Sequence, residues 1–286
     1  MAGTGKKWLA GCGIGCGAMI LLAVLGGTLG FKALREVEKE IDGINESMIA
    51  LEDQYGDRFA YVPEIDGSVP SDRMEAFLAT RESVLARSQE LSSILEQIED
   101  DDLGWFKKMM LWKNVVPVMI TFGSERTEAM LEQGIGIGEY EYIYALAFFN
   151  VLANDPSDGP SFMMNDSDDE SEGRIQFSVS TDEGEIVREE RSERVRNFFN
   201  KGQRAVLENQ VTAYRATLSA DADWTDEEWG AALLAEKNAL KLESVRMLWE
   251  DDMPDHIRNS FTPYLDRLAA TYFPLINPIE LELSDD

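Results

Sequence analysis

From Trp8 to Phe31 no side chain of the chain is charged. At about 1.5 Å per residue, a helix of that length covers the roughly 30 Å of hydrocarbon in a bilayer. Leu9-Ala10-Gly11-Cys12 imitates a lipoprotein cleavage box, but the order is wrong. A secretion signal needs its apolar region ahead of the cleavage site, and here that region follows Cys12. Leu25 to Gly30 lacks the Ala-x-Ala pattern of a conventional site. The stretch therefore reads as a retained transmembrane helix behind a short basic tail, over residues 1–33. Lys6 and Lys7 precede it, while Lys32, Arg35 and Lys39 flank the other end. So short a tail ahead of one span behaves as an uncleaved signal. The expectation is a single-pass protein of the cytoplasmic (inner) membrane, with its body on the extracytoplasmic side.

The span carries Gly11, Gly13, Gly15, Gly17, Gly26, Gly27 and Gly30, several of them four apart. Small residues at that spacing let helix backbones approach closely in lipid, where hydrophobicity gives no drive to associate. Two readings stay open: a packing face for another membrane protein or a second copy, and a glycine-rich anchor that lipid tolerates. Gly11-x-Gly13 is not a dinucleotide site, because no strand precedes it and Cys16 stands where the last glycine belongs.

Beyond the span, Leu34, Val37, Ile41, Ile44, Met48, Leu51 and Tyr55 follow a strict a/d heptad. Their e and g neighbours Glu38, Glu40, Asn45, Ser47, Glu52 and Gln54 include no cation, so a parallel self-pair gains no interhelical ion pair. A second heptad run comprises Met74, Phe77, Arg81, Val84, Ser88, Leu91, Leu95 and Ile98, with Ser71 as its expected N-cap. Gly56 to Pro70, rich in Gly, Pro and Asp, reverses the chain. These elements predict an intramolecular αα-hairpin over residues 34–100.

A helical body is expected over 101–286. It opens on Trp105, Phe106, Lys107, Lys108, Trp112 and Lys113, aromatics and lysines interleaved without an acid, a composition suited to the membrane interface. The ordinary alternative is a helix with buried tryptophans and solvated lysines. Residues 115–123, with Pro117 as an expected bend, and 142–153 read as buried core helices too short to span, joined through a flexible 134–138. Residues 154–173 read as an acidic mobile loop. Asp168, Glu170, Glu172 and Gly173 mimic the start of a calcium loop, but Val179 occupies the position that needs a glutamate. Alternation over 175–179 and 279–283 suggests a small β-pair on the helices. Helices are expected near 186–218, 226–251 and 255–272, the middle one capped by Thr225 and Glu228.

Charge and composition exclude several classes. A formal net charge of −28 repels phosphate backbones, so nucleic acid is not an expected partner. Both cysteines, Cys12 and Cys16, fall inside the span, and His256 is the single histidine, read as a surface or capping residue. No nucleophile elbow, zinc-protease, Walker or Cys-x-x-Cys motif occurs. The two-lysine tail, "GCGIGCG", the acidic helical body and "EYEYIYALAFF" together resemble uncharacterised single-span bacterial membrane proteins. That likeness is one of arrangement and implies no activity. The expected fold is mainly α, and no catalytic residue, cofactor or metal is expected. The expected function is that of a non-enzymatic, membrane-anchored accessory subunit, scaffold or assembly factor, acting on the lipid bilayer and on another membrane protein or itself. The alternative is a carrier or sensor binding an apolar ligand among the aromatics of 105–153.

Overall fold

A computed structural model describes residues 43–44, 46–99, 105–158, 163–165, 176–178, 185–219, 223–225, 227–240 and 245–274. They form a mainly helical fold. Among them no helix is long and apolar enough to cross a membrane. Trp8–Phe31, with all seven of its glycines, lies outside the described residues.

Every position of the second heptad run is buried, from Met74 through Ile98. The run is carried by two helices, α2 (Ser71–Ser83) and α3 (Leu85–Glu99), preceded by a helical segment α1 at residues 46–55. Val84 interrupts the α2–α3 pair. Hydroxyls surround the break: Thr80 donates to the Ala76 carbonyl, Ser83 to Thr80 and Ser88 to Val84. Such back-bonding competes with the helical ladder and bends it. The expected Ser71 cap is corrected, since the chain enters α2 from Pro70 with no side-chain cap bond. Pro at that boundary loses no helical N–H bond.

α4 (Trp105–Gln133) folds back along both α2 and α3. It runs through Pro117 as one continuous helix. Val84, Leu91, Leu95 and Ile98 close against Val115 and Phe122 to make a small satellite core. The second seam thus finds its partner downstream, while Leu51 of the first seam enters the main core beside Met74 and Leu78. α1 lies beside the end of α4. Thr127 Oγ1 is 3.9 Å from Met48 Sδ, and a Cβ at Gly136 would stand 2.7 Å from that of Tyr55. The order of these contacts, with Thr127 inside α4 and Gly136 just beyond its end, fits two helices running in the same direction.

Residues 134–138 were expected to flex, but they are a packed joint. Gly134 takes φ +68°, Ile135 is fully buried, and Gly138 lets the Arg58 carbonyl approach to 2.5 Å of where a Cβ would be. From this joint springs α5 (Ile137–Tyr144), continuing into a π-helical turn at Ala145–Val151. Every residue from Tyr142 to Phe149 is buried. A helix apolar on all sides belongs at the centre of a fold, and the others wrap it. These are α6 (Glu185–Ala216), α7 (Glu228–Ala239), α8 (Asp255–Phe261), a 3-10 turn at Thr262–Tyr264, and α9 (Leu265–Ala270).

The oddest heptad residue, Arg81, sits in that centre at 2% exposure. Its guanidinium lies 5.3 Å from the rings of both Tyr144 and Phe148. It donates to Tyr140 Oη at 3.0 Å and to the Thr271 carbonyl. A charge is tolerated at a core position because aromatic faces and hydrogen-bond acceptors replace its water.

Two further expectations are corrected, and the expected strand has a partner near it in sequence. The strand at Gln176–Ser178 pairs antiparallel with Met163–Asn165, Met164 opposite Phe177. The tail 279–283 lies outside the described residues. A nearby partner needs a shorter loop to close. The middle C-terminal helix spans only Glu228–Ala239, and its N-cap is Glu227 without a side-chain bond. Thr225 turns to Asp223 instead. Finally, the first residues of the predicted loop, 154–158, are held in place. Arg191 donates to the Ser157 carbonyl at 2.7 Å, and Arg188 reaches Asp155 and Asp158.

Leu91→Ala empties a fully buried site in the satellite core. Urea unfolding of the variant should give a loss of about 2–5 kcal/mol. A loss below about 0.5 kcal/mol would mean α3 and α4 do not share a packed core.

Candidate functional site

Between α1 and α2 the chain has no regular structure from residue 56 to 70. Loops this long without secondary structure are uncommon in compact folds and usually carry function. The sequence enforces it. Gly56 and Gly67 take φ of +80° and +76°, and Pro63 and Pro70 cannot donate to any ladder. An extended segment laid on a protein must still pair its carbonyls, and here side chains from four helices do so.

α6 contributes Asn209, whose Nδ2 donates to the carbonyls of Phe59 and Tyr61 at 2.9 and 3.0 Å. The next residue, Gln210, donates to Glu64 at 2.9 Å. Trp229 of α7 donates its indole N–H to Ile65 at 2.7 Å. Tyr142 of α5 donates to Gly67 at 3.1 Å. From α8, His256 Nε2 lies 2.6 Å from the Asp66 carbonyl, which requires the proton on that nitrogen, and Ser260 accepts from the Val69 amide. A Cβ at Gly67 would come within 2.9 Å of Ile257 and 3.0 Å of Gln210. The backbone is thus drawn down onto the helices as closely as glycine allows.

Ion pairs fasten the two ends. Arg58 donates twice to Glu141, at 3.1 and 2.9 Å, with its guanidinium 4.2 Å from the Phe198 ring. Arg73 grips Glu139 with both prongs at 2.7 and 2.5 Å and adds the Gly134 carbonyl. Tyr61 packs 5.5 Å from Tyr142. Burial, and for Tyr61 also the nearby Glu139 charge, pushes both phenols well above their ordinary range. Tyr142 therefore remains a donor at any physiological pH. Asp66 caps Ser68; burial works against its charge, but the Ser68 hydrogen bonds prevail and hold its carboxyl below the usual value.

Above this fastened backbone, Phe59, Val62 and Ile65 project outward at 43, 49 and 43% exposure. Asp57, Glu64 and Asp66 stand between and beside them, all exposed.

α6 holds a second irregular segment in the same manner. Asn200 donates to the Arg246 carbonyl, and Gln203 accepts from the Leu248 amide at 2.7 Å. Asn150 donates to Leu248 at 2.6 Å. Trp249, at φ +57°, donates its amide to Glu236, whose carboxyl burial pushes above its ordinary value against that bond and Arg246.

Of the residues singled out in the sequence, Gly11, Gly13, Gly15, Gly17, Gly26, Gly27 and Gly30 fall outside the described part. Trp105, Phe106, Lys107, Lys108, Trp112 and Lys113 occupy the first turns of α4, where Lys107 is exposed; the other five side chains are not described. His256 is a surface residue, as expected, with a 5.0 Å edge-on contact to Trp229. The calcium-like start, Asp168 to Gly173, also lies outside. Among the described residues no group of three or more His, Cys, Asp or Glu is arranged to hold a metal ion. Sequence reasoning missed Asn209, Gln210, Trp229 and Tyr142. A signal existed, for Gln203 and Gln210 lie on the α6 stripe otherwise made by Phe199, Val206, Leu207 and Tyr214. Amides in an apolar stripe mark backbone from elsewhere.

Comparisons with protein-family models, curated proteins and solved structures give no match to this chain.

Asn209→Ala strands two carbonyls and should lower stability by about 1–3 kcal/mol. Asn209→Asp turns the donor into an acceptor facing them and should cost more than Ala does. Equal losses for the two variants in chemical denaturation would remove Asn209 from the account.

Proposed function

We propose that this chain is a membrane-anchored, non-enzymatic interaction protein, serving as an accessory subunit, scaffold or assembly factor. One observation carries most of the reading. Met48, early in α1, touches Thr127 near the end of α4, and Tyr55, at the end of α1, meets Gly136 just beyond α4, an order that fits two helices running in the same direction. The chain therefore enters α1 from the direction in which α4 begins. The uncharged stretch Trp8–Phe31 precedes the first, and the lysine–aromatic segment Trp105–Lys113 opens the second. We take the two parts of the sequence with membrane character to belong to one end of the molecule.

On this reading Trp8–Phe31 is a single-pass signal anchor in the inner membrane, with Gly11 to Gly30 offered to a neighbouring span. Trp105 to Lys113 meets the headgroups, a composition of lysines and aromatics suited to that boundary. The body stands on the extracytoplasmic side, in keeping with a chain whose cysteines all precede it. The arrangement also agrees with the resemblance to single-span bacterial membrane proteins. The carrier alternative draws less support. Tyr140, Tyr144, Phe148 and Phe149, from the stretch that suggested a ligand chamber, pack on one another and on Phe199 at centroid separations such as 4.6, 5.7 and 5.9 Å. Rings in mutual contact are a core.

The full chain expressed in bacteria should stay in the membrane pellet after alkaline carbonate washing, and deletion of residues 1–33 should release it. In that deletion variant, residual binding to anionic vesicles should fall when Lys107, Lys108 and Lys113 become glutamate. A full chain recovered in the carbonate supernatant would refute the anchor. Vesicle binding unchanged by the triple substitution would refute the second contact.

A further inference from the structure

We infer that the extended segment 57–66 is a docking platform for a basic, apolar-anchored helix of a partner protein. The inference rests on the interaction-protein reading and names the partner's chemistry. Three observations carry it.

First, apolar exposure is concentrated here. Phe59, Val62 and Ile65 lie three residues apart on one segment, each more than two-fifths exposed. The other large exposed apolar side chains among the described residues, Ile49, Val245 and Leu265, lie on separate elements. Leaving three large apolar groups in water is unfavourable, and such groups gathered on one element mark an interaction site.

Second, the segment is fixed before any partner arrives. Asn209, Gln210, Trp229, His256 and Tyr142 hold its carbonyls. A partner that meets a pre-ordered surface does not have to supply its ordering entropy.

Third, the rim is mostly acidic, the Arg58 guanidinium 5.8 Å from the Phe59 ring being its one cation among the contacts described. Asp57, Glu64 and Asp66 flank the three apolar side chains, and Glu52 and Asp53 lie on the preceding turn of α1. Glu52 reports the crowding, because burial and the charges of Asp57 and Asp53 push its carboxyl up. The cations that could offset this are already engaged, Arg58 by Glu141 and Arg73 by Glu139. An apolar surface rimmed by carboxylates selects a partner with apolar anchors and lysine or arginine around them. It disfavours a second copy of this acidic chain and an anionic lipid surface. A helix is the favoured form of that partner. An amphipathic helix repeats its apolar anchors about every 10 Å, and Phe59 and Ile65, each in a hydrogen-bonded turn, stand on either side of Val62 to receive them.

The test uses the full chain in mild detergent and two dye-labelled synthetic helices, one of leucine and lysine and one of leucine and glutamate, with leucines at heptad spacing. Fluorescence anisotropy at physiological salt should show binding of the lysine helix and not of the glutamate helix. The double variant Val62→Ser/Ile65→Ser should weaken that binding by at least about tenfold. The control Val245→Ser/Leu265→Ser, which removes exposed apolar groups elsewhere, should change it less than about twofold. Both double variants alter exposed positions, and unchanged melting temperatures certify their folds. The inference is overturned if neither helix binds, if both bind alike, or if the two double variants weaken binding equally, since charge or general stickiness would then explain the result. A change in the sedimentation of the chain alone on Val62→Ser/Ile65→Ser would assign the surface to a second copy, and would likewise overturn it. Each of these failures leaves the carbonate result untouched, so the membrane anchor and the platform stand or fall separately.

Discussion

Amide side chains on the buried face of α6 hold together parts of the chain that have no secondary structure of their own. Asn209 and Gln210 take the carbonyls of residues 59, 61 and 64, and Asn200 and Gln203 take residues 246 and 248. An unpaired buried backbone group costs on the order of 1–3 kcal/mol, so neither segment could lie on the apolar body without such partners. Because these bonds come from a rigid helix, the segments they hold are rigid too. The outward presentation of Phe59, Val62 and Ile65 follows from the inward capture of the carbonyls around them.

The centre of the fold obeys a related rule. Arg81 occupies a heptad position where an aliphatic residue is expected. The rings of Tyr144 and Phe148 and the oxygens of Tyr140 and Thr271 make the site fit for a guanidinium. One side chain thereby ties α2 to α5 and to the end of α9. Polar groups in this protein are spent on joining elements that apolar packing alone would leave free to slide.

Much of the helical framework was legible in the sequence. The 3,4 spacing from Met74 to Ile98 predicted a buried face through every one of its members, Arg81 and Ser88 included. The apolar run around residues 142–153 was recognisable as a central helix because no face of it is polar. The misreadings have local physical causes. Periodicity tells that α3 has an apolar face without naming α4, which packs on it. Glycine at 134, 136 and 138 suggested flexibility, whereas close approach of Tyr55, Arg58 and Tyr61 requires glycine there. The platform itself was read only as a chain reversal. Its partners are one or two hundred residues away in sequence, and no local pattern announces a carbonyl that needs a distant amide.

The proposed function assigns separate work to two parts of the molecule: a membrane-directed part reached through the start of α1, and a platform that starts where α1 stops. The claim on which this division depends is that residues 57–69 are as firmly held as the helices beneath them. Amide hydrogen exchange of the full chain measures it directly. The Gly67 and Val69 amides, bonded to the Glu64 carbonyl and Ser260 Oγ, should exchange as slowly as that of Phe148 in the core, through global unfolding alone. Exchange of Gly67 and Val69 at the rate of an open loop, with Phe148 still protected, would contradict the account.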